Sequence, residues 1–161
     1  MHKEKPYPLI SVVLPAYNAE KRIAGTLEAI LAQDYPNLEV IVVNDASQDK
    51  TEQAARRVLE GCGRPFFIIT HTKNRGVSAA RNTGMAAMQG EFLWFMDADD
   101  KAEPNLVSKL IQKIFLPKAG SISKGPCIAL CARSLLSSAA GIVCDIKSSK
   151  SHKMLCIKEG L

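Results

Sequence analysis

Residues 91–100, with the sequence EFLWFMDADD, pass from a continuous apolar run directly into three carboxylates within four positions. Phe92 to Met96 lack the alternation of apolar and polar residues that marks a strand with one wet face. A strand buried on both faces is typical of parallel sheets covered by helices, and such sheets bind ligands at the carboxyl ends of their strands. The segment therefore predicts an α/β fold with Asp97, Asp99 and Asp100 at the ligand-binding edge.

The acidic cluster at residues 97–100 has two interpretations. Three close carboxylates repel one another, and a divalent cation with oxygen ligands is the simplest way to hold them together. The alternative is a solvated acidic turn that caps a helix beginning near Pro104. An isolated acidic triplet favours the turn, so the choice depends on the rest of the chain.

Apolar, β-branched or aromatic runs recur along the chain, and segments with helical periodicity separate them. The predicted strands are Leu9–Leu14, Leu38–Val43, Phe66–Thr70 and Phe92–Met96. The predicted helices are Glu20–Gln33, Lys50–Glu60 and Val77–Met88. This alternation indicates successive βαβ units, whose right-handed crossovers build a mainly parallel sheet flanked by helices.

Polar side chains follow each predicted strand at its carboxyl end. These polar segments are Pro15–Asn18, Asn44–Ser47, Asn74–Gly76 and Asp97–Asp100. The strand starts carry Pro8, Asn37–Glu39, Arg64–Pro65 and Glu91, which we interpret as turns. Because parallel strands end at the same edge of a sheet, we expect the functional side chains to share that edge.

The first two polar segments offer contacts to a planar base. Tyr17 at the mouth of the sheet can stack on such a base, whereas Asn18 is expected to cap the first helix. Asp45 directly follows a buried strand, where a carboxylate can accept a hydrogen bond from a ring N–H or a ribose hydroxyl. Ser47 and Asp49 are expected to cap the second helix.

The third polar segment precedes a helix that carries Arg81 in its first turns. We expect the Arg81 guanidinium to face the acids, either as their ion-pair partner or as a clamp for phosphate, and the two roles are compatible. His71, after the third strand, is expected to be a surface or edge residue without a catalytic role. His2 and His152 are scattered and are assigned none.

Composition and charge narrow the class of protein. The 161 residues fit one domain with a hydrophobic core. The net charge of +5 is uneven, with −1 over residues 1–112 and +6 over residues 113–161. The basic tail has no aromatic residue beyond Phe115, so we expect no nucleic-acid partner. The chain has no GxxxxGK[ST] and no GxGxxG motif, which disfavours P-loop hydrolysis and dinucleotide redox chemistry.

Cysteine usage and the N-terminal segment bear on the compartment. The five cysteines are odd in number and include no CxxC pair, so we expect neither a disulfide framework nor a zinc site. The apolar run Leu9–Leu14 is too short for a signal-peptide core or a membrane span. We therefore expect a cytoplasmic protein, with peripheral membrane association or a homo-oligomer left open.

Four blocks of the chain resemble, in the same order, the donor-site motifs of the family 2 glycosyltransferases, which are inverting nucleotide-sugar transferases with the GT-A fold. The blocks are Ser11–Asn18, Val42–Asp49, Asn74–Gly76 with Ala80–Gly84, and Phe95–Asp100, within a match over residues 9–110. One block alone would be weak, but four in register make a specific match. The resemblance implies a Rossmann-like GT-A fold and a role such as cell-surface polysaccharide biosynthesis.

The resemblance also implies roles for individual residues. Tyr17 and Asp45 would contact the nucleobase, and Arg81 would lie near the diphosphate of the donor. Asp97 would approach the ribose or the metal, and Asp99 of a DXD-type motif would coordinate Mg²⁺ or Mn²⁺. The implied donor-binding residues are Pro15, Tyr17, Asp45, Arg81, Asp97 and Ala98, and the implied metal ligands are Asp97 and Asp99.

The implied reaction transfers a sugar from a nucleotide-sugar donor, which we expect to be UDP-linked, to a sugar or lipid-sugar acceptor with inversion. A metal would neutralise the departing diphosphate, and a base would deprotonate the acceptor hydroxyl. In the family this base is a downstream Asp or Glu, whereas after Lys113 this chain has only Asp145 and Glu159. The chain also has Asn44 and Ala46 where many members have aspartate and glycine.

The motif match divides the chain into two segments. Residues 1–112 are assigned to a nucleotide-sugar-binding GT-A subdomain, and residues 113–161 to a basic tail without a recognisable acceptor half or base. We expect a truncated product, a frame-shifted product, or a donor-binding module that a partner completes. Two other classes stay open: a catalytically silent nucleotide-sugar-binding module, and a phosphoryl-transfer domain, which the lack of an acid after the first strand disfavours.

Overall fold

The computed structural model describes residues 7–115 and 130–132, with the side chains of residues 7–112. Five strands occur in this part of the chain: Ile10–Ala16 (β1), Leu38–Asn44 (β2), Phe66–Thr70 (β3), Phe92–Phe95 (β4) and Leu130–Ala132 (β5). The helices described are Ile23–Leu31 (α1), Thr51–Leu59 (α2), Val77–Ala87 (α3) and Leu106–Phe115 (α4). The predicted strands and helices are all present, with ends shifted by a few residues.

The strands form one sheet in the order β3-β2-β1-β4-β5. The first four strands along the chain are parallel, and β5 runs antiparallel to β4, with Leu93 opposite Cys131. The predicted α/β class with a mainly parallel sheet is confirmed. β5 was not predicted, because it is a short strand within the basic tail.

Helices cover both faces of the sheet centre, so β1 and β2 are buried along their whole length. On one face, Val12 and Leu14 pack in a core with side chains of α1, α2 and α4. On the other face, Val13 packs in a second cluster with Ala80 of α3. This two-sided burial explains why the strands are continuous apolar runs rather than alternating ones.

Helix α3 lies close against β1 at Gly84. A Cβ atom on Gly84 would lie 2.2 Å from Cγ1 of Val13, well inside van der Waals contact. Glycine therefore allows α3 to pack directly on the strand. This contact fixes the helix whose first turns border the predicted site.

The amino-terminal edge of the sheet holds a buried carboxylate. Glu39 in β2 is 1% exposed and accepts hydrogen bonds from the Ser11 hydroxyl and from two backbone N–H groups in the loop before β4. These donors replace the water that the carboxylate loses on burial.

The interpretation of residues 37–39 as a turn is wrong, because β2 begins at Leu38.

Part of the tail assigned to residues 113–161 is described by the structure. Helix α4 continues across position 112 to Phe115, and β5 adds three tail residues to the sheet. Asp145 and Glu159 lie outside the described residues, and the division of the chain at residue 112 stays a prediction. Within the described ranges, no helix combines the length and apolar character that crossing a membrane requires.

Candidate functional site

The carboxyl ends of β1, β2 and β4 border an open cavity of about 350 Å³, a size within the range of ligand sites. Predicted site residues that line the cavity are Pro15, Tyr17, Asp45, Asp97, Ala98 and Asp99. Other lining residues come from the loop after β1, the loop before α3 and the start of α3: Ala19, Arg22, Asn74, Gly76, Val77 and Ala80. The structure thus brings these predicted residues together at one edge of the sheet.

The loops after β1 and β2 are joined through Asn18. Its backbone N–H donates to the Ser47 hydroxyl at 3.0 Å, and its side-chain oxygen accepts the N–H of Gln48 at 2.9 Å. The predicted cap of the first helix by Asn18 is wrong, because α1 begins only at Ile23 and the side chain bonds to the neighbouring loop. Ala46 adopts a left-handed φ of 58°, a backbone conformation that glycine adopts at lower cost.

Asp49 holds the start of α2. Its Oδ1 accepts the N–H of Thr51 at 3.0 Å, and its Oδ2 accepts the N–H of Glu20 at 3.1 Å. Burial raises the pKa of Asp49, but these hydrogen bonds and one from the Thr51 hydroxyl outweigh burial and hold the pKa below its usual value. The predicted caps are not found: Lys50 is the N-cap residue and has no side-chain cap bond, although Asp49 just before it bonds the first helical N–H, and the Ser47 hydroxyl bonds to the other loop.

Asp45 follows β2, and its side chain is 4% exposed. Its Oδ1 accepts from Nδ1 of His71 at 2.7 Å and from the N–H of Arg75 at 2.9 Å, and its Oδ2 accepts from the N–H of Gly76 at 2.7 Å. Burial raises the pKa of Asp45, but these hydrogen bonds outweigh burial and hold it below its usual value. An ionised Asp45 therefore holds the loop before α3 against the cavity.

The sequence predicted a surface or edge residue at His71, which does follow the edge strand β3, but its side chain is not on the surface. Its side chain is 7% exposed, and it lies between Asp45 and Thr83, whose Oγ1 is 2.8 Å from Nε2. The prediction failed because Thr83 of α3 reaches the carboxyl end of the edge strand β3. Local sequence gives no signal for these two contacts, because Asp45 and Thr83 are 26 and 12 residues away from His71 along the chain.

The three carboxylates of the acidic cluster have separate partners. Asp97 pairs with Nη2 of Arg81 at 2.7 Å, and Asp99 pairs with Nη1 of Arg22 at 3.1 Å. Asp100 accepts the N–H of Asp97 at 3.3 Å. These contacts offset part of the repulsion among the three carboxylates. In the part of the chain that the structure describes, no three His, Cys, Asp or Glu side chains form a metal-binding group.

Asp97 and Asp99 nevertheless fit a divalent ion whose coordination a diphosphate completes. Their side chains line the cavity and are 47% and 56% exposed, so their oxygens are accessible. Mg²⁺ is usually held by one or two carboxylates together with phosphate oxygens and water, so a third protein ligand is not required. The exposed ion pair between Arg22 and Asp99 is weak in water and easily displaced.

Arg81 lies beside the cavity, with a side chain that is 13% exposed. Its guanidinium carbon is 5.5 Å from the centroid of the Phe95 ring, and its Nη2 pairs with Asp97. Its Nε is a buried donor without a hydrogen-bond partner among the described residues. The predicted pairing of Arg81 with the acids is confirmed, and its contact with a diphosphate stays a prediction.

Comparison with known proteins places these features in a family. The model of glycosyl transferase family 2 matches residues 11–126. The chain is 39% identical over 105 residues to the glycosyltransferase GlyA of Streptococcus pneumoniae serotype 4, a match that covers 65% of this chain and 15% of GlyA. It is 38% identical over 93 residues to an uncharacterized glycosyltransferase of Haemophilus influenzae, covering 58% of this chain and 37% of that protein.

Solved structures give the same result. Staphylococcus aureus TarS 1–349 in complex with UDP matches with a TM-score of 0.63 and 30% identity, covering 66% of this chain and 32% of that one. The mannosyltransferase PcManGT from Pyrobaculum calidifontis, in complex with GDP-Man and Mn²⁺, matches with a TM-score of 0.66 and 31% identity, covering 76% and 40%. The chain thus spans less than half the length of each of these relatives.

Proposed function

The chain belongs to glycosyl transferase family 2 and has a GT-A fold, and we propose that it binds a nucleotide-sugar donor, UDP-linked, in the cavity at the strand edge. The observation that carries the proposal is the convergence of side chains from the ends of β1, β2 and β4 on one cavity. The UDP complex of TarS and the GDP-Man complex of PcManGT support this class of ligand.

Tyr17 and Asp45 are the proposed contacts to the nucleobase. Tyr17 lines the cavity and is 47% exposed, so one face of its ring is open to stack on a base. Asp45 offers an ionised carboxylate, which accepts a hydrogen bond from a ring N–H. Stacking and one charged hydrogen bond together favour a planar base with an N–H at its edge.

Asp97 and Asp99 are the proposed ligands of Mg²⁺ or Mn²⁺, and the bound ion would act as a Lewis acid that neutralises the departing diphosphate. Arg81 orients the Asp97 carboxylate through its ion pair and adds positive charge beside the cavity. Arg22 lines the cavity and is a second guanidinium within reach of phosphate oxygens. The Mn²⁺ in the PcManGT structure supports the choice of ion.

The reaction that this donor site would serve is sugar transfer with inversion. The acceptor hydroxyl attacks the anomeric carbon opposite the diphosphate, a base takes the hydroxyl proton, and the bond from the sugar to the diphosphate oxygen breaks. The carboxylates at the cavity are engaged, Asp45 with its loop and Asp97 and Asp99 with arginines. The base and the site for a sugar or lipid-sugar acceptor are therefore expected from protein outside the described residues.

The second candidate is a catalytically silent module that binds a nucleotide-sugar without transferring the sugar. The assignment of Asp45 to the nucleobase and of Asp97 and Asp99 to the metal favours it, because no cavity carboxylate is then assigned to take the proton of an acceptor hydroxyl. The two candidates share the donor site and differ in the chemistry that follows binding.

A donor panel tests the proposal. The thermal stability of the 161-residue chain is measured with UDP-sugars and with GDP-mannose, each with Mn²⁺ and with EDTA. We expect one class of donor to raise the melting temperature in Mn²⁺, because a ligand that binds only the folded state stabilises it. A melting temperature that no donor changes under either condition would contradict the proposed donor site.

A further inference from the structure

A buried histidine links the proposed base-binding carboxylate to helix α3. His71 lies between β3 and α3 with 7% of its side chain exposed, and both of its ring nitrogens have partners. Nδ1 is 2.7 Å from Oδ1 of Asp45, and Nε2 is 2.8 Å from Oγ1 of Thr83. None of the roles assigned above uses this residue.

An ionised Asp45 carboxylate can only accept, so the Nδ1–H of His71 donates to it. The Thr83 hydroxyl is the hydrogen-bond partner of Nε2. Thr83 precedes Gly84, the residue at which α3 packs directly on β1, so its hydroxyl sits on a fixed part of the helix. The imidazole ring therefore links the Asp45 carboxylate to helix α3 through its two hydrogen bonds.

The two carboxylate oxygens of Asp45 accept different numbers of hydrogen bonds. Oδ1 accepts from His71 and from the N–H of Arg75, whereas Oδ2 accepts from the N–H of Gly76. A carboxylate oxygen has about two acceptor positions, so Oδ1 is saturated and Oδ2 keeps one. Asp45 lines the cavity, where that position can meet a ligand.

We propose that His71 is a positioning residue for base recognition. By engaging Oδ1, it fixes the rotation of the Asp45 carboxylate so that Oδ2 accepts from the ring N–H of a nucleobase. The inference rests on the donor site proposed above and adds the residue that orients its specificity contact. The chemistry selects bases that carry a ring N–H at the recognised edge, as uracil and guanine do.

The test compares binding of UDP with binding of inorganic pyrophosphate, both in Mn²⁺, by calorimetry on the full chain. His71→Ala should weaken UDP binding about tenfold and leave pyrophosphate binding unchanged, because only UDP uses the base contact. His71→Asn should restore most of the UDP affinity, since its amide N–H can take the place of Nδ1–H. Thr83→Val, which removes only the hydroxyl partner, should weaken UDP binding about threefold.

The outcomes separate the two proposals. A wild-type chain that binds neither ligand would overturn the donor site, and the role of His71 with it. A wild-type chain that binds both, with UDP affinity unchanged in His71→Ala, would overturn the role of His71 alone. Equal weakening of UDP and pyrophosphate would make His71 a structural residue and overturn the inference too. If His71→Ala does not fold, Thr83→Val decides. The role of His71 is overturned if Thr83→Val leaves the UDP affinity unchanged, or if it weakens UDP binding no more than pyrophosphate binding.

Discussion

At the scale of single residues, the charged groups of the site are held by partners that are distant in the sequence. Asp45 is buried and receives hydrogen bonds from His71 and from two backbone N–H groups of the loop before α3. Asp97 and Asp99 each face an arginine. Carboxylates that are oriented before a ligand arrives reduce the entropy that binding costs.

Tyr17→Ala and Asp45→Ala should each weaken UDP binding in Mn²⁺ by about 1–3 kcal/mol, through lost stacking and a lost hydrogen bond respectively. Only Asp45→Ala should also lower the free energy of unfolding, because it leaves His71 and the backbone N–H groups of Arg75 and Gly76 without their acceptor. Calorimetry and urea unfolding measure the two effects. Tyr7→Ala is the control, since Tyr7 is 61% exposed and outside the cavity lining. Unchanged UDP affinity in both site variants would place the nucleobase elsewhere.

The depressed pKa of Asp45 predicts how its contribution to stability depends on pH. A carboxyl whose folded pKa lies below the unfolded value of about 3.9 stabilises the fold fully above that pH, and the contribution is lost as the pH falls through the folded pKa. The difference in unfolding free energy between wild type and Asp45→Asn should therefore shrink as the pH falls from about 5 to about 3. Urea unfolding across this range checks it, and a pH-independent difference would contradict an ionised Asp45.

At the scale of elements, β1 to β4 were predictable because each is a continuous apolar run, and α1 to α3 because helical periodicity separates these runs. β5 was not, since Leu130–Ala132 is a three-residue strand whose place depends on pairing with β4. Asn18 and His71 were misassigned for a related reason. Their partners, Gln48 and Thr83, meet them only after the elements have packed. Local pattern thus predicts the edge of the sheet, and tertiary contacts decide what each side chain does there.

The packing of α3 on β1 predicts opposite effects for two helical glycines. Gly84→Ala should lower the free energy of unfolding by about 1–3 kcal/mol, because its Cβ would overlap Val13. Gly25→Ala in α1 is the matched control: its Cβ would meet nothing within 4 Å, so alanine should be neutral or stabilising. Chemical denaturation compares them, and equal stabilities of the two variants would show that α3 is not seated against Val13.

At the scale of the whole molecule, the chain spans 15–40% of the length of the relatives compared above. The proposed donor site assigns the cavity carboxylates to the metal and the nucleobase and leaves none as the base. We expect the acceptor site and the base to require protein beyond the described residues, as the resemblance to the family implied.

The 161-residue chain alone should therefore bind donor and transfer sugar poorly or not at all. General-base catalysis contributes about 10²- to 10⁴-fold, and loss of acceptor positioning removes a further factor. Slow hydrolysis should survive, with water in place of the acceptor. UDP release and products are followed by mass spectrometry with UDP-sugars, Mn²⁺ and mixed sugar and lipid-sugar acceptors. Brisk acceptor-dependent transfer would mean that Asp145, Glu159 or a residue of the acidic cluster acts as the base.

The central claim is that the cavity at the strand edge binds a nucleotide-sugar donor together with a divalent ion. Calorimetric titration of UDP into the wild-type chain, in Mn²⁺ and in EDTA, tests it most directly. We expect binding in Mn²⁺ and none in EDTA, because the diphosphate and the carboxylates of Asp97 and Asp99 repel each other without a cation. Asp99→Asn should lose the binding, whereas Glu103→Gln, at an exposed acid that pairs with Lys109, should retain it. Equal binding in EDTA would contradict the metal assignment, and no binding of UDP or GDP in either condition would contradict the donor site itself.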